Sequence, residues 1–351
     1  MVKMIKEDKS QWAILAGLRF ILAAIVVAGH FSLYVRGNSW NLFGAGYLNP
    51  LSAVYGFFIL SGYSIAASLD KESLGFIRRR FFRIWPLYLA SIAFGFAVCL
   101  TLIPKGFHWP LGDLFTPGHA SAISAVASLL MLQTVIAAPI EIVAQTWSLP
   151  AEWWHYMIAP ILRRIPTRFL LVAIAVSFVL YLNAFPPGPG VAGTSNLTHG
   201  YGIAVLSWLW VTGFVYYRHR RTPLAIVLLI APALFTLTID HSTGVPYFIA
   251  AFVLIAAEDF SVPAWGRKVL NFLGDWSYPL YLFHMACFIV MLHFGSSRSI
   301  ITLSGAFGIS LAALLLVDYP CRRLFGGPSP QASDDKPASA DAQPGCGQTA
   351  A

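Results

Sequence analysis

The run 11–34, QWAILAGLRFILAAIVVAGHFSLY, limits the possible folds more than any other stretch of the chain. It exceeds the roughly 20 apolar residues needed to cross a bilayer core. It also holds Arg19 and His30. An Arg at the centre of such a helix costs about 2.5–3.5 kcal/mol on insertion scales, so it faces protein or water rather than lipid. Eleven residues at about 100° each make about three turns, which sets both groups on one face, about 16 Å apart along the axis. A helix carrying two ionisable groups on one stripe lines something polar. The competing reading has Arg19 snorkelling toward an interface and His30 bonded to a neighbouring helix.

The rest of the chain agrees with a membrane setting. Only 11% of its 351 residues are charged and 57% are hydrophobic, against about 25% charged in soluble domains. Recurrent long apolar runs favour spanning helices over a β-barrel. The expected fold class is therefore all-α, a polytopic helical membrane protein of about ten transmembrane helices in contact with the lipid bilayer. A net charge of +8 needs no nucleic acid partner to explain it. Cys99, Cys287, Cys321 and Cys346 form neither a metal-ligand spacing nor a disulfide framework, and no metal is expected. Lys3, Lys6 and Lys9 precede a run too long for a signal-peptide core, which reads as an uncleaved first span.

The candidate spans are 11–34, 51–69, 84–103, 147–162, 168–185, 200–217, 223–239, 244–257, 274–294 and 300–320. With both termini cytoplasmic and these ten alternating, the inner segments hold 19 of the 23 Lys and Arg, as the positive-inside bias requires. A further apolar stretch, 121–140, would turn Arg163, Arg164 and Arg168 outward if it crossed, so it reads as re-entrant or confined to the outer leaflet. The organisation is a short cytoplasmic N-terminus at 1–10, a membrane domain at 11–325 and a disordered cytoplasmic tail at 326–351, low in aromatics and rich in Pro, Ala, Ser and Asp. The loops 104–120 and 186–199 are rich in Gly, Pro and aromatics, and either contribute to a site or only connect spans.

Four constellations carry chemistry. His30 near the outer end of the first span is a natural general base near neutral pH, with Arg19 toward the inner half. Arg80 and Arg83, three apart on the inner side, form a fork suited to phosphate, although the same residues serve as a positive-inside anchor. In 146–156 (TWSLPAEWWHY), Glu152 and His155 lie i, i+3 at an expected depth close to that of His30; a carboxylate there orients an imidazole or activates a hydroxyl, or stands alone in an aromatic belt. His284, in 276–284 (WSYPLYLFH), falls near mid-bilayer. The expected order from inside to outside is Arg80 and Arg83, Arg19, His284, then His30 with Glu152.

These features occur within an ordered set of motifs. They are Arg-x10-His at 19–30, FFILSGY at 57–63, RFFRIWPLY at 80–88, WSLPAE at 147–152, YPLYLFH at 278–284 and DYP at 318–320. The set, covering about residues 11–325, resembles the acyltransferase 3 family of integral-membrane acyltransferases. Tyr63 replaces the commoner Phe and Asp318 the commoner Glu, both conservatively. The resemblance implies an enzyme of the bacterial inner (cytoplasmic) membrane. It would move an acyl group, acetyl foremost, from acetyl-CoA or another acyl-CoA to a hydroxyl of a carbohydrate or glycolipid such as exopolysaccharide, lipopolysaccharide or a lipo-oligosaccharide. It implies catalytic roles for His30 and Arg19 with support from Glu152. Donor binding falls to Arg80 and Arg83, with Ser61 and His284 as further candidates. His30 as base or as transient acyl carrier both remain open. Two other readings stand beside it: an exporter whose pathway the buried Arg and His line, disfavoured by the lack of evident inverted repeats, and a non-catalytic assembly subunit, disfavoured by the full motif set.

Overall fold

The computed structural model describes residues 9–35, 49–102, 122–185, 199–239, 241–294 and 299–325. The loops 104–120 and 186–198 and the tail 326–351 lie outside the described residues. The described chain is mostly helical: α1 (Lys9–Val35), α2 (Pro50–Lys71), α3 (Phe76–Leu102), α4 (Ala122–Leu129), α5 (Leu149–Leu162), α6 (Thr167–Ala184), α7 (Tyr201–Arg218), α8 (Pro223–Ile239), α9 (His241–Ala256), α10 (Ala264–His293), α11 (Ser299–Ala313) and α12 (Tyr319–Phe325). A 3₁₀ segment, Glu141–Ser148, leads into α5, and a π turn, Leu314–Asp318, joins α11 to α12. Helical backbone runs through the described part of each stretch read as a span. Among the described residues, five stretches are long and apolar enough to cross a membrane unaided: Lys9–Ser32, Pro50–Lys71, Phe76–Leu102, Thr167–Ala184 and Ile300–Phe325.

The chain is turned outward for lipid. Phe169, Val172, Val176 and Val179 form an exposed apolar stripe on α6, and Leu224, Val227, Leu234 and Phe235 are exposed on α8. Water would not tolerate apolar faces of this extent. The centre is α2, where Tyr55, Phe58, Ile59 and Tyr63 are buried among α1, α5, α7 and α9. Asn49 caps α2 by accepting from the Leu51 amide at 2.8 Å, with Pro50 in the first turn, where a missing N–H costs nothing.

Two close contacts set the geometry of the site. Along α2 and α7, a Cβ on Gly62 would stand 1.9 Å from the Trp210 carbonyl oxygen, and one on Gly213 would stand 2.1 Å from that of Ile59. The two backbones touch there as small residues permit inside a membrane. Along α1 and α10, a Cβ on Gly274 would stand 2.5 Å from that of Ala16. Phe20 packs on Trp276, His30 on His284 and Phe31 on Phe288, so α1 and α10 run parallel. Gly29 meets Pro50 while Gln11 bonds Tyr63, so α2 runs the opposite way. Ser61 meets Glu152 and Asp70 meets Arg163, which makes α5 parallel to α2.

That direction bears on the ambiguous stretch 121–140. Its helix, α4, is eight residues long, about 12 Å, far short of a crossing. The chain then turns and descends as irregular and 3₁₀ backbone into α5. Non-helical backbone survives at membrane depth only where protein satisfies it. Here Tyr88 donates to the Ser128 carbonyl at 2.5 Å, Gln133 to that of Thr146 at 3.2 Å, Gln145 to that of Leu282 at 2.6 Å and Tyr281 to that of Gln145 at 2.5 Å.

Candidate active site

Arg19 and His30 lie on the face of α1 turned toward α2 and α10. Arg19 Nη2 donates to Ser64 Oγ at 2.5 Å. Ser64 Oγ in turn donates a hydrogen bond to the Leu60 carbonyl at 2.6 Å. The guanidinium is therefore held from inside the bundle instead of reaching for an interface. Arg19 is enclosed by protein yet keeps accessible surface, as does His30. Both are half-buried, not sealed in a dry core.

Glu152 departs from its expected depth. It joins the level of Arg19, not that of His30. Ser61 Oγ donates to Glu152 Oε1 at 2.9 Å, Tyr156 also donates to that carboxylate, and Trp210 Nε1 donates to Ser61 Oγ at 3.2 Å. Ser61 and Ser64 are one helical turn apart on α2, so the carboxylate and the Arg19 guanidinium are neighbours. Sequence reading began the fourth span at the membrane surface. In the fold, the 3₁₀ segment carries the chain inward first, and α5 begins deep. His155 does not receive the Glu152 carboxylate either. Its Nε2 lies 2.9 Å from Ser207 Oγ and its Nδ1 2.5 Å from the Ala151 carbonyl, with the ring stacked on Trp210. The residue four positions on, Tyr156, takes the place expected for it.

Arg80 and Arg83 sit in the first turns of α3. Arg80 lies over the Phe76 ring at 5.5 Å, and its Nε is buried with no hydrogen-bond partner among the described residues. Arg19 is within Coulombic range of Arg83, Glu152, Tyr156 and Asp275, and Arg80 of Arg83, Arg19 and Tyr156. Asp275 is already engaged by Arg322 at 2.7 Å, and Arg322 also pairs with Asp318 at 2.6 Å across the π turn. Arg80 and Arg83 thus add positive charge around Arg19, which Glu152 offsets in part. A bound anion would offset this like-charge excess.

His284 was expected below His30 and stands beside it instead. His30 Nδ1 and His284 Nε2 are 2.8 Å apart, with the rings nearly parallel at 13° and centroids 5.1 Å apart. The parallel run of α1 and α10 explains the difference, since each helix brings its His to the same height. Among the described residues, no group of three or more His, Cys, Asp or Glu stands close enough to hold a metal.

A family model described as an acyltransferase domain, that of acyltransferase 3, matches residues 12–319. The chain belongs to the acyltransferase 3 family. This membrane acyltransferase is similar to a protein named acyltransferase MdmB from Streptomyces mycarofaciens, with 28% identity over 390 aligned positions that cover 93% of the chain and 96% of the relative. It is also similar to a Rhizobium radiobacter protein named protein 2 in picA locus, with 27% identity over 160 positions that cover 42% of the chain and 79% of the relative. No solved structure matches it. Three polar residues of this candidate site are not legible from the sequence motifs: Ser64, Tyr156 and Trp210. Tyr156 was accessible in principle, being i+4 from Glu152, and Ser64 was i+3 from Ser61. Nothing local marks Trp210, whose part depends on the glycine contact between α2 and α7.

Proposed function

We propose that this acyltransferase moves an acyl group, acetyl foremost, from cytoplasmic acyl-CoA to a hydroxyl of a glycan or glycolipid on the far side of the bacterial cytoplasmic (inner) membrane. The end of the bundle bearing Arg80, Arg83, Arg163 and Arg218 is then cytoplasmic, in line with the positive-inside bias. One observation carries the reading. A cluster of guanidinium groups with an unpaired, buried Arg80 Nε surrounds Arg19 on α1, and an imidazole pair stands about three turns further along the same helix.

Arg80 and Arg83 take the donor's phosphates by charge-assisted hydrogen bonds. Arg19, about 16 Å from His30 along α1, fits a donor-positioning role better than direct contact with the reacting carbonyl. Glu152 holds Tyr156 and Ser61 around the donor's path and balances part of the positive charge. An extended, flexible donor arm spans the remaining distance, with its thioester near His30. There His30 removes the proton of the acceptor hydroxyl as its oxygen attacks the thioester carbonyl. The tetrahedral adduct collapses with cleavage of the carbon–sulfur bond, and the departing thiolate recovers the proton from the imidazolium. The ester and free CoA are the products.

Acetyl-CoA binding by the purified protein tests the donor half. Removing both arginines, as Arg80→Ala with Arg83→Ala, should weaken binding by about 100-fold, since hydrogen bonds to charged groups contribute about 1.5–3 kcal/mol each. Unchanged binding, or no binding by the native protein, would favour an exporter. Mass spectrometry of surface glycans with and without the intact gene tests the acceptor half, and a difference of one acyl unit per repeat is the expected result.

A further inference from the structure

Resting on the reading of His30 as the base, we propose that His284 is a positioning residue that fixes the neutral tautomer of His30. The assignment follows from the donors and acceptors around the two rings. His284 Nδ1 lies 2.8 Å from the Tyr281 carbonyl oxygen and 3.2 Å from that of Leu280. Carbonyl oxygens only accept, so Nδ1 carries the hydrogen. A neutral imidazole then has its lone pair on Nε2. That atom faces His30 Nδ1 at 2.8 Å, so His30 Nδ1 must donate, and the lone pair of His30 resides on Nε2. This is the nitrogen a general base needs. Without the acceptor on His284, His30 can hold its proton on Nε2, where it cannot abstract another.

The surroundings fit a supporting role and not contact with substrate. His284 is fully buried, whereas His30 keeps accessible surface. The turn of α10 that supplies the carbonyl is clamped from the other side: Gln145 donates to the Leu282 carbonyl at 2.6 Å, and Tyr281 Oη reaches the Gln145 carbonyl at 2.5 Å. Phe288 packs edge-on against the His284 ring and also against Phe31, the residue after His30, which holds both rings in register. The segment 130–148 thereby gains a purpose beyond connection, since it braces the helix turn that sets a proton's location.

Two measurements on the full chain in lipid nanodiscs test this. The first is ¹⁵N NMR of histidine-labelled protein, with the His30 signals assigned by their loss in His30→Gln. The expected result is a protonated Nδ1 and a bare Nε2 at His30, changing toward protonated Nε2 in His284→Leu. A protonated Nε2 on His30 in the native protein overturns the proposal and leaves the acyl-transfer reading intact, because the experiment involves no turnover. The second compares His284→Leu with His284→Gln, whose amide oxygen stands near the former Nε2 and can accept the same hydrogen bond. His284→Leu should lower kcat by about 10²–10⁴-fold, the scale set by loss of an imidazole's orienting partner, with KM for acetyl-CoA within about twofold. His284→Gln should recover at least about tenfold of that loss. Equal losses in both variants, accompanied by equal falls in thermal stability, would mean that His284 only fills space and would sink the proposal.

Discussion

His30→Ala should abolish acyl transfer, with a loss on the order of 10⁴-fold, the upper end of what a missing general base costs. The upper end applies because the half-buried position of His30 leaves little bulk water to replace the imidazole. The variant leaves His284 Nε2 without its donor, at a cost of about 1–3 kcal/mol. That is small beside the packing of α1 along α2 and α10, so the protein should reach the membrane at its normal level. It should also bind acetyl-CoA as the native protein does, since Arg19, Arg80 and Arg83 are untouched. Transfer assays on membranes matched for protein amount provide the check. Activity within tenfold of native would remove His30 from the mechanism.

The largest effect on stability is expected at Gly62. Even the single methyl of Gly62→Ala would stand 1.9 Å from the Trp210 carbonyl oxygen and 3.0 Å from the Phe214 amide nitrogen. The obstacle is backbone, which no rotamer change can move. Overpacking a core costs about 1–3 kcal/mol when side chains give way, and here whole helices must part, so a loss above about 3 kcal/mol is expected. Separation of α2 from α7 would also withdraw Trp210 from Ser61 and disturb the Glu152 cluster. Gly308→Ala in α11 is the matched control, since a Cβ there meets nothing within 4 Å. It should be neutral or gain up to about 1 kcal/mol from helix propensity. Thermal unfolding in detergent, followed by fluorescence-detected size exclusion, distinguishes the two. Equal unfolding temperatures for both variants would mean that the α2–α7 contact is looser than described.

What could be read from the sequence was what depends on one helix at a time. The spacing of Arg19 and His30 placed both on one face of α1, and the three-residue spacing of Arg80 and Arg83 placed both in the opening turns of α3. The short α4 agrees with the charge argument that kept 121–140 from crossing. What failed was relative height. Glu152 was set near His30 because a regular helix was assumed from the membrane surface downward; the 3₁₀ segment broke that assumption, and sequence gave no sign of how far it would carry the chain. His284 was set below His30 because the two helices were measured from their own ends. Their true offset comes from Gly274 against Ala16 and Phe20 against Trp276, contacts between residues far apart in the chain. Trp210 was invisible for the same reason.

The polar groups fall into two sets according to the helices that carry them. The imidazoles ride on α1 and α10, while Ser61, Glu152, Tyr156 and Trp210 ride on α2, α5 and α7. Among the described residues, Arg19–Ser64 and Gln11–Tyr63 tie α1 to α2 by side-chain hydrogen bonds. An arriving molecule that wedges these two halves apart would strain those ties first, while the two rings stay joined across the close Ala16–Gly274 contact. The pairing of the two rings would in this way be shielded from strain on the α1–α2 side.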